Sequence, residues 1–332
     1  MDDRLNNICE AVEKSLLLSE LTEDRFLRSS NKGGNEIYIF TAHEAPNLMK
    51  EVGRVRELAF RAAGGGTGKE CDIDEFDIRE NNPCKQLIVW DPEEQEIIGG
   101  YRYLRCDEMP VGVNGVPEMA MTEIFDMSAR FIEEYIPYTI ELGRSFVHPK
   151  YQSTQMKRKS LYALDNLWDG LGALTVDNPD IKFLMGKVTM YRSYNVSARD
   201  MLLTFLRCYF EDKESLVTPK EKYAIYPDSS SMELQFTGEN YAEEYRALSK
   251  SIRTLGENIP PLVNAYMGLS PTMKLFGTSL NPFFGGVEES GILITIEDVY
   301  DEKKDRHISS YNPENKTINL KQILNTTDNS YG

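Results

Sequence analysis

A glutamate and an arginine three residues apart, Glu141 and Arg144, bracket Gly143 within the apolar stretch TIELGRSFV. Side chains of a regular strand alternate between faces, so residues three apart point to opposite sides. One extra residue at Gly143, a β-bulge, brings both charges to one face and frees a backbone N–H. The set then suits acyl transfer: a carboxylate to take a proton, a backbone donor to polarise a thioester carbonyl, and a guanidinium to hold a polar or anionic group. The bland alternative for the same spacing is a salt-bridged strand end at the surface.

A second set of charges lies upstream. Arg102, in IIGGYRYL, sits inside an apolar strand, where an unpaired charge costs several kcal/mol, roughly, so it requires a carboxylate. Asp74 and Asp77, in CDIDEFD, are the candidates, although acidic loops are usually just solvated. Arg56 and Phe60 fall one helical turn apart in APNLMKEVGRVRELAFRAA. Arg56, Phe60, Asp74, Asp77, Arg102, Glu141 and Arg144 thus supply three cations and three anions for one interlocked network. The nearby AGGGTGKE is a poor phosphate loop: Ala63 and Glu70 replace the first glycine and the hydroxyl, and a helix precedes it. A flexible cover over a substrate channel is the better reading. None of the three histidines begins a His-x4-Asp pair, the usual O-acyltransferase signature.

These residues need a scaffold. A helix is expected over 5–21, then a linker to Gly34, a strand at 37–41, a helix at 44–62 ended by the glycine run, and a polar loop through Asn82. A hairpin is predicted from 85–90 and 97–104, followed by the Glu141 strand, a helix at 154–171, a strand at 181–190 and a helix at 196–210. A helix at 241–255 and a strand at 291–299 follow, and from Asp301 a loosely held polar tail is expected. Mixed strands and helices in this order indicate an α/β or α+β fold. The division expected is a helical arm (1–35), a catalytic core (36–215), an extension packed on it (216–300) and the tail (301–332).

Composition narrows the function. Of 332 residues 41% are hydrophobic, enough for a sizeable core, and no run of eighteen apolar residues offers a membrane span. With no leader-like start, the expected location is the cytoplasm. Five scattered cysteines without a Cys-x-x-Cys predict free thiols and no zinc site, and no metal is expected. A net charge of −16 argues against nucleic acid and anionic lipid. Lys150, Lys157, Arg158 and Lys159 are a local exception, fit for a phosphate or an acidic partner, or else a solvated helix face.

The order Arg-x-x-x-Phe, Asp-x-x-Asp, Gly-x-Arg, Glu-x-x-Arg resembles the acyl-homoserine-lactone synthases, a branch of the GNAT-like acyltransferase fold. No tryptophan falls between Arg61 and Lys69, where those enzymes carry one. ELGRSFVHPKYQ, LDNLWDGL, FLMGKVTM and IPPLVNAYMGL are more similar to the ornithine and glycine lipid N-acyltransferases, also called hemolysin-like, over about residues 36–300. The resemblance implies a central mixed sheet flanked by helices, with Glu141, Gly143 and Arg144 at the reaction centre and Arg56, Phe60, Asp74, Asp77 and Arg102 on the acceptor side. It also implies acyl carrier protein as donor and partner, with its phosphopantetheine thioester as co-substrate and no tightly bound cofactor. GNAT acetyltransferases hold the coenzyme A pyrophosphate on a Gln/Arg-x-x-Gly-x-Gly/Ala loop; here Gln152 keeps the first position, but Gln155 and Lys157 replace the glycines. A single phosphodiester needs no such turn, so Lys150, Gln152, Lys157, Arg158 and Lys159 are the expected contacts of the carrier arm. The expected reaction moves a 3-hydroxy fatty acyl chain onto the α-amine of glycine or ornithine, with peripheral contact at the inner membrane face for product release. A lactone synthase or a non-catalytic lipid- or partner-binding module are the alternatives.

Overall fold

The computed structural model describes residues 6–112, 115–152, 158–228 and 236–315, with the side chains of 158–161 and 315 outside that description. Eleven strands are present: β1 (Phe26–Ser29), β2 (Glu36–Phe40), β3 (Lys85–Asp91), β4 (Glu96–Arg105), β5 (Phe125–Met127), β6 (Thr139–Val147), β7 (Phe183–Met190), β8 (Val217–Pro219), β9 (Ala224–Ile225), β10 (Lys274–Asn281) and β11 (Val287–Thr295). Nine of them build one sheet in the order β1-β2-β3-β4-β6-β7-β11-β10-β9, while β5 and β8 pair separately. All neighbours in the large sheet are antiparallel except β6 and β7.

The helices are α1 (Lys14–Glu20), α2 (Pro46–Ala63), α3 (Glu75–Ile78), α4 (Ala129–Glu134), α5 (Arg158–Asp177), α6 (Val196–Phe210), α7 (Tyr241–Thr254), α8 (Pro261–Met267) and α9 (Asp301–Lys303). Helix α2 begins with a proline, whose missing N–H costs nothing there, and ends at Gly64 in the left-handed conformation that glycine adopts without strain. It buries Val52, Val55, Ala59 and Phe60 with Ile88, Trp90 and Phe146 on one face of the sheet. On the other face, α5 and α6 bury Leu167, Leu171, Leu202 and Leu206 with Leu87, Ile140 and Leu142.

Several expectations need correction. The first helix covers only Lys14–Glu20, because the segment before it is spent on strapping the arm to α2: Val12 N–H donates to Glu51 (3.0 Å) and Arg61 donates to the Asn6 carbonyl (2.7 Å). Cys9 and Cys71 form a disulfide, where free thiols were expected; their Cα atoms lie 6.3 Å apart although 62 residues separate them, a proximity that only the folded chain creates. The glycine-rich run is not a loose cover. Buried Glu57 accepts hydrogen bonds from Thr67 N (3.1 Å) and Gly68 N (2.7 Å), lacing the run to α2. Nor is the described part of the tail, 301–315, loose: it is helical to Ile308 and buries His307, whose Nδ1 lies 2.7 Å from Asp169 on α5, while 316–332 lie outside the described residues.

Candidate active site

Strands β6 and β7 run parallel from Thr139 beside Phe183 only as far as Leu142 beside Gly186. Both strands continue, to Val147 and Met190, without pairing further, so their facing edges part and open a wedge in the sheet. The cause is on the other side of β6. Arg102 of β4 pairs with Gly143 and Gly100 with Phe146, so Arg144 and Ser145 together stand opposite Tyr101. This is a bulge, one residue later than Gly143, and Arg144 takes its extra turn at φ 48°, a left-handed conformation that costs a side-chain-bearing residue about 1–3 kcal/mol. The expected consequence follows: Glu141, Gly143 and Arg144 all line one cavity of about 460 Å³.

Arg102, Lys187, Tyr191 and Glu289 add polar groups to the lining of this cavity, and Phe60 and Phe284 add aromatic rings. Leu142, Phe146, Leu164 and Pro260 to Leu262 are further apolar residues of its lining.

The charged network exists, with one substitution in its membership. Arg56 Nη1 donates to Asp77 Oδ2 (3.2 Å) and its Nη2 to Gln86 Oε1; Gln86 Nε2 donates to Asp77 Oδ1 (2.9 Å). Arg102 Nη1 donates to both oxygens of Asp74 (2.6 and 2.7 Å) and to Asp77 Oδ2 (3.4 Å). Arg144 reaches Asp74 Oδ2 (3.3 Å) and Asp72 Oδ2 (2.8 Å) and stacks on Phe284, 4.6 Å from its ring centre. Phe60 meets Phe284 edge-on at 5.0 Å, supporting that stack. The third acid is therefore Asp72 and not Glu141, and among the described contacts none joins Arg144 to Glu141 as an anchor. Sequence reading passed over Asp72, although it follows a disulfide cysteine directly and is fully buried.

Asp74 and Asp77 owe their places to α3, where they form a capping box: Phe76 N–H donates to Asp74 (3.0 Å) and Asp74 N–H to Asp77 (3.2 Å). Burial would raise the Asp74 carboxyl, but Arg102 and Arg144 outweigh it and hold the group well below the usual carboxylate range. Arg56 and Asp77 are sealed from solvent and serve as frame. Arg102 differs. Its Nη1 carries all its described hydrogen bonds, while the Nε and Nη2 edge faces Gly143, where a Cβ would lie 3.7 Å and 4.0 Å from those atoms. An absent side chain thus leaves a two-pronged donor open to the cavity.

Glu141 stands half-buried at the parting of β6 and β7. The Met121 N–H donates to its Oε1 at 3.0 Å. Burial pushes its carboxyl up from the ordinary value, against the pull of Arg102, Lys187 and that N–H. A carboxyl raised in this way is a better proton acceptor near neutrality.

The carrier-arm candidates fare less evenly. Lys150 is neutralised by Glu94 (3.0 Å) and Glu96 (2.7 Å), so it is not a spare cation for a partner. Gln152 does line the cavity, its Nε2 donating to the Val147 carbonyl (2.6 Å). Lys157 and the side chains of Arg158 and Lys159 lie outside the described residues. Lys187 and Glu289, 3.0 Å apart on the cavity wall, were missed. Alternation on β7 and β11 places them on the Glu141 face, but only knowledge of the strand order reveals it. Among the described residues no group of three or more His, Cys, Asp or Glu side chains is placed to hold a metal ion, and no helix is long and apolar enough to cross a membrane.

A family model described as an acetyltransferase (GNAT) domain matches residues 55–161, the span from α2 through the Glu141 strand. A glycine N(alpha)-acyltransferase of Phocaeicola vulgatus is 53% identical over 307 residues, covering 92% of this chain and 94% of the relative. One of Bacteroides thetaiotaomicron is 54% identical over 307 residues, covering 92% and 91%. The chain belongs to the GNAT-like amino-acid N-acyltransferases. No solved structure matches it significantly. As an N-acyltransferase it must bind an amino acid, bring its amine to an acyl donor and remove a proton. The non-catalytic reading is set aside.

Proposed function

We propose that this N-acyltransferase moves a long, 3-hydroxylated fatty acyl chain from acyl carrier protein to the α-amine of glycine. The carrying observation is the shared cavity of Glu141 and the open edge of Arg102, a proton acceptor beside a carboxylate clamp. The Arg102 Nε and Nη2 atoms hold the amino-acid carboxylate, and Glu141, directly or through a water, takes the ammonium proton. The neutral amine attacks the thioester carbonyl, the C–N bond forms as the C–S bond breaks, and the carrier thiol leaves with a proton. Leu142, Phe146, Leu164 and Pro260 to Leu262 line the path of the acyl chain. Phosphopantetheine of the carrier is the co-substrate, and the scheme uses no resident cofactor.

Glycine is favoured over ornithine for two reasons. Both relatives named above carry glycine in their names. A side-chain amine would also need its own acid, and the buried Glu289 is already neutralised by Lys187. The product is an acylated amino acid, amphiphilic enough to be released to the inner face of the membrane from a cytoplasmic enzyme.

The test is a purified assay with acyl carrier protein or coenzyme A as donor and labelled glycine or ornithine as acceptor, read by mass spectrometry. Acyl-glycine formed from the carrier thioester is expected; ornithine acylation at equal efficiency, or indifference to the carrier, overturns the reading. Reversal of Lys157 and Arg158 to Glu is expected to raise KM for the carrier about tenfold with kcat nearly unchanged, an effect that weakens with salt. An unchanged KM across a salt titration removes these cations from the docking surface.

A further inference from the structure

The reaction scheme leaves one buried ion pair on the cavity wall unused. Lys187 of β7 and Glu289 of β11 line the same cavity as Arg102, with only 11% and 7% of their side chains exposed. Such a pair is not surface decoration, because taking both charges out of water is costly unless their remaining bonds are well used. They are well used. Asn281 Nδ2 donates to Glu289 Oε2 (2.8 Å) and Thr189 Oγ1 donates to Oε1 (3.4 Å). Burial alone would raise the Glu289 carboxyl, but Lys187 and Asn281 hold it below its ordinary value.

The ammonium of Lys187 also donates to the Ala120 carbonyl at 3.0 Å. That carbonyl and the Met121 N–H belong to the same peptide group, and the Met121 N–H donates to Glu141 Oε1 at 3.0 Å. One peptide is therefore gripped at both ends, its oxygen by a cation and its N–H by the candidate base. A cation on the oxygen polarises the peptide and strengthens its N–H as a donor. It also fixes the segment that holds Glu141 Oε1, leaving Oε2 with no described hydrogen bond.

We propose that Lys187, held by Glu289, is a positioning residue that orients and tunes Glu141 through the Ala120–Met121 peptide. This rests on the reading of Glu141 as the base. Glu141 is surrounded by Arg102 from β4, Lys187 from β7 and Glu123 from the segment after Met121. The thiols of Cys84, before β3, and Cys106, after β4, also feel its charge, and Glu289 faces it from β11 through Lys187. Of these, Lys187 alone touches both the cavity and the peptide that binds Glu141.

The experiment is the pH dependence of kcat/KM for glycine in the full-length enzyme carrying K187M, K187R, E289Q or E141Q. Loss of the Lys187 cation makes the Glu141 carboxylate harder to form, so in K187M the acidic limb moves up by about one pH unit. On that limb kcat/KM falls about tenfold, with KM for glycine unchanged. K187R restores the limb. E289Q leaves the cation uncompensated, which favours ionised Glu141, so its limb moves the opposite way. An acidic limb that stays in place in both K187M and E289Q overturns the inference, as does a K187M defect carried by KM for glycine, which makes Lys187 a direct acceptor ligand. If K187M does not fold, the opposite shift in E289Q and the unshifted K187R decide. E141Q with near wild-type turnover would sink the base assignment itself; E141Q inactive with unmoved limbs elsewhere sinks only the role of Lys187.

Discussion

Two groups of charges share one face of the sheet a few residues apart, and they are built on opposite plans. In the first, Arg56, Arg102 and Arg144 alternate with Asp72, Asp74 and Asp77, and each acid meets an arginine. In the second, a peptide N–H is the one bonded partner of the Glu141 carboxylate among the described residues, while the nearby cations Arg102 and Lys187 are engaged with other acids. The pH signatures differ accordingly. Asp74, with its folded value depressed, contributes stability that is present above its unfolded value of about 3.9 and is lost as pH falls. Glu141, with its folded value raised, favours the folded state only while protonated, and that contribution is lost as pH rises through its folded value. A balanced network holds the strands and α3 in place; an unbalanced carboxylate keeps the capacity to take a proton.

Substitutions can pull the two plans apart. Glu141→Gln carries the largest effect: kcat is expected to fall by about 10²–10⁴-fold. Because the half-buried carboxylate opposes folding at neutral pH, the same variant should melt no lower than wild type at pH 8, and a clear drop in Tm would show that Glu141 is structural. Asp77→Ala should behave in reverse, leaving Arg56 and Arg102 short of an acid and costing roughly 3–5 kcal/mol in denaturant unfolding. A stability loss under about 1 kcal/mol would mean that solvent or Gln86 replaces the lost partner. Gly143→Val probes the border between the two, since its methyl groups crowd the open edge of Arg102. It should raise KM for glycine about tenfold, ~1.4 kcal/mol, with kcat within about threefold; a change confined to kcat would place the amino-acid carboxylate elsewhere.

Much of this arrangement is legible in the residues. The apolar alternation in 85–104 and the helical spacing in 44–62 and 196–210 set those elements within a residue or two of their observed ends. The requirement that Arg102 find an acid pointed to Asp74 and Asp77, and both bind it. The bulge was readable from Glu141 and Arg144 needing one face, but its position was not, since Gly143 is the obvious site and Arg144 bears the strain. Strand β10 was missed because KLFGTSLN is interrupted by Gly277 and alternates weakly. Lys187 and Glu289 are a hundred residues apart and look like ordinary strand charges until β7 and β11 are known to pair.

What the sequence alone determined is local: which segments bury one face, where chains turn, and which charges cannot be left without a partner. Those follow from periodicity and from the cost of desolvating a charge, both carried by neighbouring residues. The tertiary structure decided which acid serves which base, because only the order of strands in the sheet sets the distances between side chains far apart in the chain. It replaced Glu141 with Asp72 in the arginine network, and so left Glu141 open to the cavity.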